Sequence, residues 1–385
     1  MIDKQKLYNT IDENAPEIIA LSDAIWEYAE LSMEEYKSAA YYCELLEKEG
    51  FTVERELCGI PTAFSGSFGS GSPRIGILGE FDALSGLSQV AGSTQKQSLV
   101  PGGNGHGCGH NLLGAGSFGA ALAIKKAIEA GALQGTVIFY GCPGEEGCAG
   151  KTFMARDGMF RDLDAALTWH PGSTNEVTVG SYAACMQVEY SFHGVASHAA
   201  GSPDKGRSAL DAAELMHVGV QFLREHMPPH SSVHYSITDG GGVSPNVVQA
   251  EAKTVFMVRS ETVRKAKELL HRVNNIAQGA ALMTDTQVTT RQIDGTASTV
   301  SNEALEQVMY ENMQQVPIPA YTQEELAFAQ VLHDTCPAAL PGTLSATNRD
   351  IRAFVEEKTD GGKRAMNDFI IPYVPSTMST PGSTD

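Results

Sequence analysis

Residues 105–116, with the sequence GHGCGHNLLGAG, place His106, Cys108 and His110 within five positions of one another, between glycines. A cysteine thiolate and a histidine imidazole are ligands that zinc binds readily, so this segment could hold a metal ion. On this fragment alone a metal site is the less common outcome, because most Cys-x-His pairs are two ordinary residues. The assignment therefore depends on whether further ligands meet this loop.

Polar residues follow three predicted strands at the points where the strands end. They are Glu80 and Asp82 after residues 75–79, Glu145 and Glu146 after residues 136–142, and His170 at the end of residues 163–169. Because ligands bind at the carboxyl ends of the strands in open α/β sheets, we expect these side chains to meet Cys108 and His110 in one cleft. Thiolate, imidazole and carboxylate together are ligands of zinc and manganese. The combined pattern predicts a metal site.

The adjacent glutamates of the PGEEG segment, residues 143–147, could divide the chemistry between them. One could bind a metal while the other accepts a proton from water. Taken alone, such a pair is usually a solvated turn, and a histidine at a strand end is usually hydrogen-bonded. An alternative is a cysteine amidase in which Cys108 attacks the substrate and His110 or His106 is the base. The glutamates have no role in that scheme, which favours the metal mechanism.

Strands and helices alternate around these residues, which is the order of a parallel sheet covered by helices. Apolar runs predict strands near 51–57 and at 75–80, 136–142 and 163–170, and helical spacing predicts helices within 14–49, 113–128 and 151–161. Residues 85–107 form a long loop rich in glycine, serine and glutamine. We therefore predict an α/β catalytic domain with a central, mostly parallel sheet flanked by helices.

The pattern changes near residue 182, where AACMQVEYSFHG alternates between apolar and polar residues like a half-exposed strand. Further strands at 232–238 and 252–260, with helices at 209–223 and 261–281, complete a compact α+β unit. We assign residues 182–298 to an inserted lid, which would also dimerise. Residues 1–181 and 299–385 then form the catalytic domain, to which a helix at 302–314 returns the chain.

Composition excludes several classes of function. The chain has 385 residues, of which 42% are hydrophobic and 19% charged, as in a globular protein long enough for two domains. A net charge of −19 argues against binding to nucleic acid, while an acidic cleft would attract cations. No apolar run approaches a membrane span, the N-terminus is not a signal peptide, and the seven cysteines show no disulfide framework. We expect a cytoplasmic protein without nucleic-acid or membrane partners.

Four motifs occur in a fixed order: GEFDAL at 79–84, GHGCGH at 105–110, PGEEG at 143–147 and TWHPG at 168–172. They resemble the motifs of the M20 family of metallopeptidases and amidohydrolases, in particular its aminoacylase and hippurate-hydrolase branch, over nearly the whole chain. The resemblance implies two divalent metal ions, Zn²⁺ or Mn²⁺, and a homodimer formed through the lid. It implies hydrolysis of an N-acyl amino acid or dipeptide-like substrate, most of all of the aminobenzoyl-glutamate type, and it also allows a heteromeric partner subunit.

Site residues follow from the same resemblance, position by position. The implied metal ligands are Cys108 (as a bridging thiolate), His110, Glu146 and His170. Glu145 would be the general base and Asp82 would support the metal site from behind its ligands. His106 has no ligand role in the family pattern.

The lid carries three further residues of the family pattern. His198 would reach a neighbouring active site and stabilise the oxyanion. Asn246 and Arg259 would bind a free carboxylate of the substrate, a task that suits the planar guanidinium. The structural alternatives are that Arg259 faces solvent at a strand end and that Asn246 is a turn residue after Pro245.

One position of the family pattern has no counterpart here. The family completes its metal site with a final histidine near the C-terminus, whereas the last histidine of this chain is His333. The sequence thus resembles a C-terminally truncated member, and we expect reduced stability, weakened metal binding and low or no activity. The alternative to an enzyme is an accessory subunit whose lid completes the site of a partner.

Overall fold

Two helices open the chain, α1 (Lys4–Tyr28) and α2 (Tyr36–Lys48). The computed structural model describes residues 3–147, 149–335, 348–380 and 382–385, so Cys148 and Cys336 lie outside the described residues. The Asp3 side chain caps α1 by accepting a hydrogen bond from the backbone N–H of Gln5, 3.1 Å away. A break at Ala29, which adopts a left-handed conformation, divides the helical region expected over 14–49 into two helices.

A five-stranded sheet holds the first half of the molecule together. Its strands are β1 (Thr52–Arg55), β2 (Phe64–Ser70), β3 (Arg74–Glu80), β4 (Gly135–Cys142) and β5 (Ala165–Leu167). In the order β1-β2-β4-β3-β5, β3 runs parallel to both β4 and β5, whereas β2 is antiparallel to β1 and β4. The predicted α/β class is confirmed, and the antiparallel pair at one edge makes the sheet mixed.

Helices α3 (His110–Glu129) and α4 (Gly150–Arg156) connect the parallel strands. α1 and α3 pack together over the sheet, around a buried aromatic cluster that includes Tyr42, Phe64 and Phe139. Gly114 lets α3 approach the end of β3 closely, because a Cβ atom there would lie 2.2 Å from the Tyr42 hydroxyl and 2.6 Å from the Glu80 carbonyl oxygen. This contact places the first turn of α3 beside the end of β3.

A second sheet, wholly antiparallel, lies in the middle of the sequence. The strands of this part are β6 (Ser181–Tyr182), β7 (Ala184–His193), β8 (Ser197–His198), β9 (Ser232–Asp239), β10 (Val247–Val248), β11 (Glu251–Ser260) and β12 (Gln287–Thr296). The sheet order is β12-β7-β11-β9, while β8 and β10 form a separate pair. Helices α5 (Ala209–Arg224) and α6 (Val263–Met283) cover one face and share a core with it.

The last part of the chain contributes α7 (Glu303–Met313), α8 (Gln323–Thr335), α9 (Arg349–Lys358) and β13 (Ser379–Thr380). β13 pairs in parallel with β6, and the backbone N–H of Ala183 then donates to the Gly382 carbonyl. This pairing carries residues 382–385 toward the ends of β3 and β4. Among the helices that the structure describes, none is both long and apolar enough to cross a membrane.

Candidate metal centre

Parallel pairing of β3 with β4 brings residues from distant parts of the sequence to one edge of the first sheet. Glu80 at the end of β3 is the register partner of Cys142 at the end of β4, so the 143–147 segment begins beside Glu80. His110 begins α3 at the same edge, and the segment after β5 carries His170. The expected convergence at the carboxyl ends of the strands is therefore observed.

His110 lies at the centre of this cluster and is fully buried. Its Nδ1 atom is 2.9 Å from Asp82 Oδ1, and its Nε2 atom is 3.1 Å from Glu80 Oε2 and 4.0 Å from Glu145 Oε2. The other Asp82 oxygen accepts hydrogen bonds from the Ser32 hydroxyl at 2.8 Å and from the Glu146 backbone N–H at 2.9 Å. Asp82 thus fixes the ring and leaves Nε2 facing the glutamates.

Cys108 lies on the other side of His110. Its Sγ atom is 3.3 Å from His170 Nε2, while His170 Nδ1 donates to the Pro171 carbonyl at 2.8 Å. Gly109, with φ +86°, allows this approach, because a Cβ atom there would lie 2.8 Å from the Pro171 ring. Cys108, His110 and His170 form one group with ligand atoms within 4.8 Å of one another, and Glu80, His110 and Glu145 form a second.

The ionisable groups of this cluster influence one another. Burial, reinforced by repulsion from Glu80, raises the pKa of Glu145 to about 7, and burial also raises the pKa of Glu146. Hydrogen bonds from His110 and then His170 lower the pKa of the Cys108 thiol. Burial alone would lower the pKa of His110, but the hydrogen bond to Asp82 outweighs it and helps to raise the pKa to about 11. The surroundings therefore favour a thiolate beside closely spaced carboxyl groups.

Three buried side-chain atoms of the cluster have no hydrogen-bond partner among the described residues: Glu80 Oε2, His110 Nε2 and Glu146 Oε1. The first two are 3.1 Å apart, yet they do not have the geometry of a hydrogen bond. Buried polar atoms are nearly always satisfied in folded proteins, so three such atoms in one place indicate a missing ligand. A divalent cation would satisfy all three, and the residues present fit such an ion.

Several residues of this region are not predicted as site residues by the sequence. Lys151 is buried, with Nζ 2.8 Å from Glu80 Oε1, and it also contacts the Asp385 carboxylate. The Thr384 hydroxyl donates to Glu145 Oε1 at 2.9 Å. Glu80 has a detectable signal, since it ends a predicted strand. Lys151 has none, because a lysine in the first turn of a helix is usually exposed.

His106 has a structural environment instead of a place in the ligand groups. Nε2 of its buried ring donates to the Ile25 carbonyl at 2.9 Å, and the ring stacks with Trp26. These contacts tie the loop before α3 to the end of α1. The ring therefore anchors the loop on which Cys108 and His110 lie.

The two outer lid residues of the family pattern lie together, on the β8–β10 pair and the segment before it. His198 is exposed, and its Nδ1 atom accepts hydrogen bonds from the backbone N–H groups of Ala200 and Gly201 at 3.2 and 3.0 Å. The Ala199 N–H donates to the Asn246 carbonyl at 2.9 Å. Within the described ranges, no hydrogen bond or ion pair joins His198 or Asn246 to the Cys108–His110 cluster.

Arg259 lies closer to the cluster. It is half-buried near the end of β11, and its Nε atom donates to the Ser383 hydroxyl at 3.1 Å. A cavity of about 140 Å³ is lined by Arg259 together with Glu145 and Glu146. The side chain therefore faces the same space as the adjacent glutamates, in contrast to the alternative in which it faces bulk solvent.

Comparison with known proteins agrees with this geometry. The sequence profile of "Peptidase family M20/M25/M40" matches residues 77–336, a range that contains all four motifs. One of the subunits of the p-aminobenzoyl-glutamate hydrolase of Escherichia coli (strain K12) is 48% identical over 339 residues, which are 86% of this chain and 70% of that protein.

Two solved structures show the same fold. An aminobenzoyl-glutamate utilization protein from Klebsiella pneumoniae aligns with a TM-score of 0.62 at 19% identity, covering 86% of this chain and 91% of that chain. A Bacillus subtilis protein, described as a dinuclear metal binding peptidase from the M20 family, aligns with a TM-score of 0.54 at 21% identity, covering 81% of each. The chain belongs to peptidase family M20/M25/M40, whose members include hydrolases that act on amide bonds.

Proposed function

We propose that this protein is a metal-dependent amidohydrolase that cleaves the amide bond of an N-acyl amino acid or dipeptide-like substrate of the aminobenzoyl-glutamate type. The observation that carries the proposal is the pair of ligand groups that share His110, with Glu145 in one of them. The 48% identity to the E. coli hydrolase chain supports the substrate class. The E. coli protein supplies the substrate only by analogy, since the chain spans 70% of its length.

Cys108, His110, Glu146 and His170 are the proposed ligands of two divalent ions, Zn²⁺ or Mn²⁺. When bound, such ions polarise a carbonyl group and acidify water. The protein's own contribution begins with Asp82, whose hydrogen bond to Nδ1 holds the His110 ring with Nε2 directed into the cluster. The Bacillus subtilis relative of the same fold is described as binding a dinuclear metal centre, which supports the number of ions.

Glu145 is the proposed general base. It would accept a proton from the attacking water and later deliver that proton to the nitrogen of the departing amine. The raised pKa, about 7, suits a group that both accepts and returns a proton near neutral pH. The hydrogen bond from Thr384 to Oε1 leaves Oε2 directed toward His110, where the reaction would take place.

The lid, for which we propose the bounds 182–298 between catalytic segments 1–181 and 299–385, would complete the site. Arg259 and Asn246 would bind a free substrate carboxylate, and the cavity that Arg259 shares with Glu145 supports this role. His198 would stabilise the oxyanion of the substrate bound to a neighbouring protomer. Its exposure supports a role in which a second molecule supplies its partner.

We propose a homodimer formed through the lid. β9 lies at an edge of the antiparallel sheet, and most of its residues are exposed, so a second copy could pair with it. A heteromeric partner is the alternative, supported by the E. coli relative, whose name describes it as one subunit of an enzyme. The five cysteines that the structure describes are free, which supports a reducing, cytoplasmic compartment.

Release of glutamate from p-aminobenzoyl-glutamate tests the proposal, with protein loaded with Zn²⁺ or Mn²⁺. The matched control is the same amide lacking the α-carboxylate, which should be cleaved far more slowly if Arg259 and Asn246 bind that group. Cleavage of neither compound, alone or with the other E. coli hydrolase chain added, would contradict the enzymatic function. Cleavage that requires the added chain would instead support the accessory role.

A further inference from the structure

We propose that Glu80 is an additional carboxylate ligand of the metal centre and that Lys151 is the positioning residue that holds it there. This inference rests on the proposed metal-dependent function. Neither residue belongs to the ligand set that the family resemblance implies, which consists of Cys108, His110, Glu146 and His170.

The position of Glu80 is the first argument. The residue ends β3 and is only 4% exposed. Its Oε2 atom lies 3.1 Å from His110 Nε2, the nitrogen that Asp82 leaves free for an ion, and within 4.8 Å of a Glu145 oxygen. A cation bound by His110 Nε2 would therefore lie within reach of Glu80.

The unequal use of the two Glu80 oxygens is the second argument. Oε1 is 2.8 Å from Lys151 Nζ, whereas Oε2 is buried and has no hydrogen-bond partner in the described part of the chain. If Glu80 served as nothing more than a counter-ion for Lys151, an unsatisfied buried oxygen would be an uncompensated cost. An ion at Oε2 removes that cost, because one oxygen would then neutralise the lysine and the other would bind the metal.

The placement of Lys151 is the third argument. Its buried ammonium contacts Glu80, which faces His110, and Asp385, for which the described residues show no ion pair with His110. A positive charge so near a cation site lowers metal affinity by itself. Glu80 offsets that charge, and the rigid contact fixes the χ angles of its side chain. Asp385 thus provides a matched comparison within one cluster.

Metal binding, measured without substrate, tests the assignment. Glu80→Gln keeps the shape and can still accept from Lys151, but it loses the ligand charge. We expect the Mn²⁺ affinity of one of the two ions, measured by titration and elemental analysis, to fall by about 10- to 100-fold. Asp385→Asn, which alters the same lysine, should change that affinity by no more than about twofold.

Lys151→Met distinguishes a ligand from a counter-ion. We expect the metal-free protein to melt at a lower temperature while metal affinity stays the same or rises, because a nearby positive charge has been removed. Lys151→Gln gives the same comparison if the methionine variant does not fold. The assignment is overturned if Glu80→Gln binds both ions like the parent and loses only thermal stability. A parent protein that binds no metal would also overturn it, and would remove the proposed function with it.

Discussion

The edge of the first sheet and the lid surface around His198 treat their polar side chains in opposite ways. At the sheet edge, Glu80 and His110 are buried, and each has an atom without a hydrogen-bond partner among the residues that the structure describes. On the lid, His198 is exposed and its Nδ1 accepts two hydrogen bonds from the backbone of its own turn. The first region is arranged around a ligand, whereas the second is satisfied until another molecule reaches it.

The packing beneath the two regions differs less than their polar residues do. Both sheets rest on apolar cores, built around Tyr42 and Phe139 in the first and around Tyr190 and Phe256 in the lid. Since both scaffolds are well packed, the unsatisfied atoms of the first region cannot be attributed to a loose core. Conflicts of this kind concentrate at functional sites, where the fold supports groups that would be unfavourable elsewhere.

Removal of metal should produce the largest effect and tests the buried half of the comparison. We expect a chelator such as EDTA to abolish amide hydrolysis and Zn²⁺ or Mn²⁺ to restore it, because the Cys108 and His110 groups are satisfied by an ion. Activity and metal content are measured on the same samples. Hydrolysis that persists in EDTA would support the alternative in which Cys108 is the nucleophile.

Glu145→Gln should have the next largest effect. The amide cannot accept a proton from water, so we expect kcat to fall by about 10²- to 10⁴-fold. Metal content should be retained, since the variant keeps its hydrogen bond from Thr384. Glu214→Gln, at an exposed position of α5, is the matched control and should leave kcat unchanged. Equal loss of metal and turnover would reassign Glu145 from base to ligand.

His198→Ala tests the exposed half of the comparison. We expect kcat to fall by about 100-fold, the usual effect of losing one donor to an oxyanion. Metal content and melting temperature should not change, because the hydrogen bonds described for this side chain come from its own turn. His271→Ala, on the exposed surface of α6, provides the control. An unchanged kcat would leave His198 a surface residue and remove it from the catalytic scheme.

Glu35 extends the comparison to a buried carboxyl group outside the ligand groups, with a smaller expected effect. Its Oε1 accepts from the N–H groups of Met33 and Gly144, both at 2.9 Å, and the Thr62 hydroxyl donates to Oε2 at 2.8 Å. Burial raises the pKa of Glu35 from 4.5 to about 7. The folded state therefore holds its proton more tightly than the unfolded state does.

Stability contributed by the protonated form of Glu35 is present below pH 4.5 and is lost as the pH rises through about 7. We expect the free energy of unfolding to fall by up to about 3 kcal/mol over that window in the parent. Glu35→Gln, which can keep the three hydrogen bonds, should remove this slope, while exposed Glu34→Gln should not. Denaturant titrations at several pH values measure the difference, and identical slopes in all three proteins would refute the assignment.

Much of the fold follows from sequence patterns, with instructive exceptions. Apolar runs correctly predict β3 and β4, and alternation predicts β7. The patterns do not predict β2, whose sequence FSGSFGS is rich in serine and glycine, or β12, which is largely polar. Both strands are held by pairing with neighbours that lie far away in the sequence, and local propensity does not register such pairing.

Sequence by itself determined that Cys108 and His110 share one loop, that Glu145 is adjacent to Glu146, and that these motifs occur in the order of the M20 family. Tertiary structure alone decided that Glu80 and Lys151, 71 residues apart, form an ion pair beside His110. It also decided that His198 faces solvent while Arg259 lines the cavity with Glu145. The physical reason is that chain spacing fixes neighbours within a loop, whereas strand pairing and burial determine which distant charges meet and which oxygen of a carboxylate stays free.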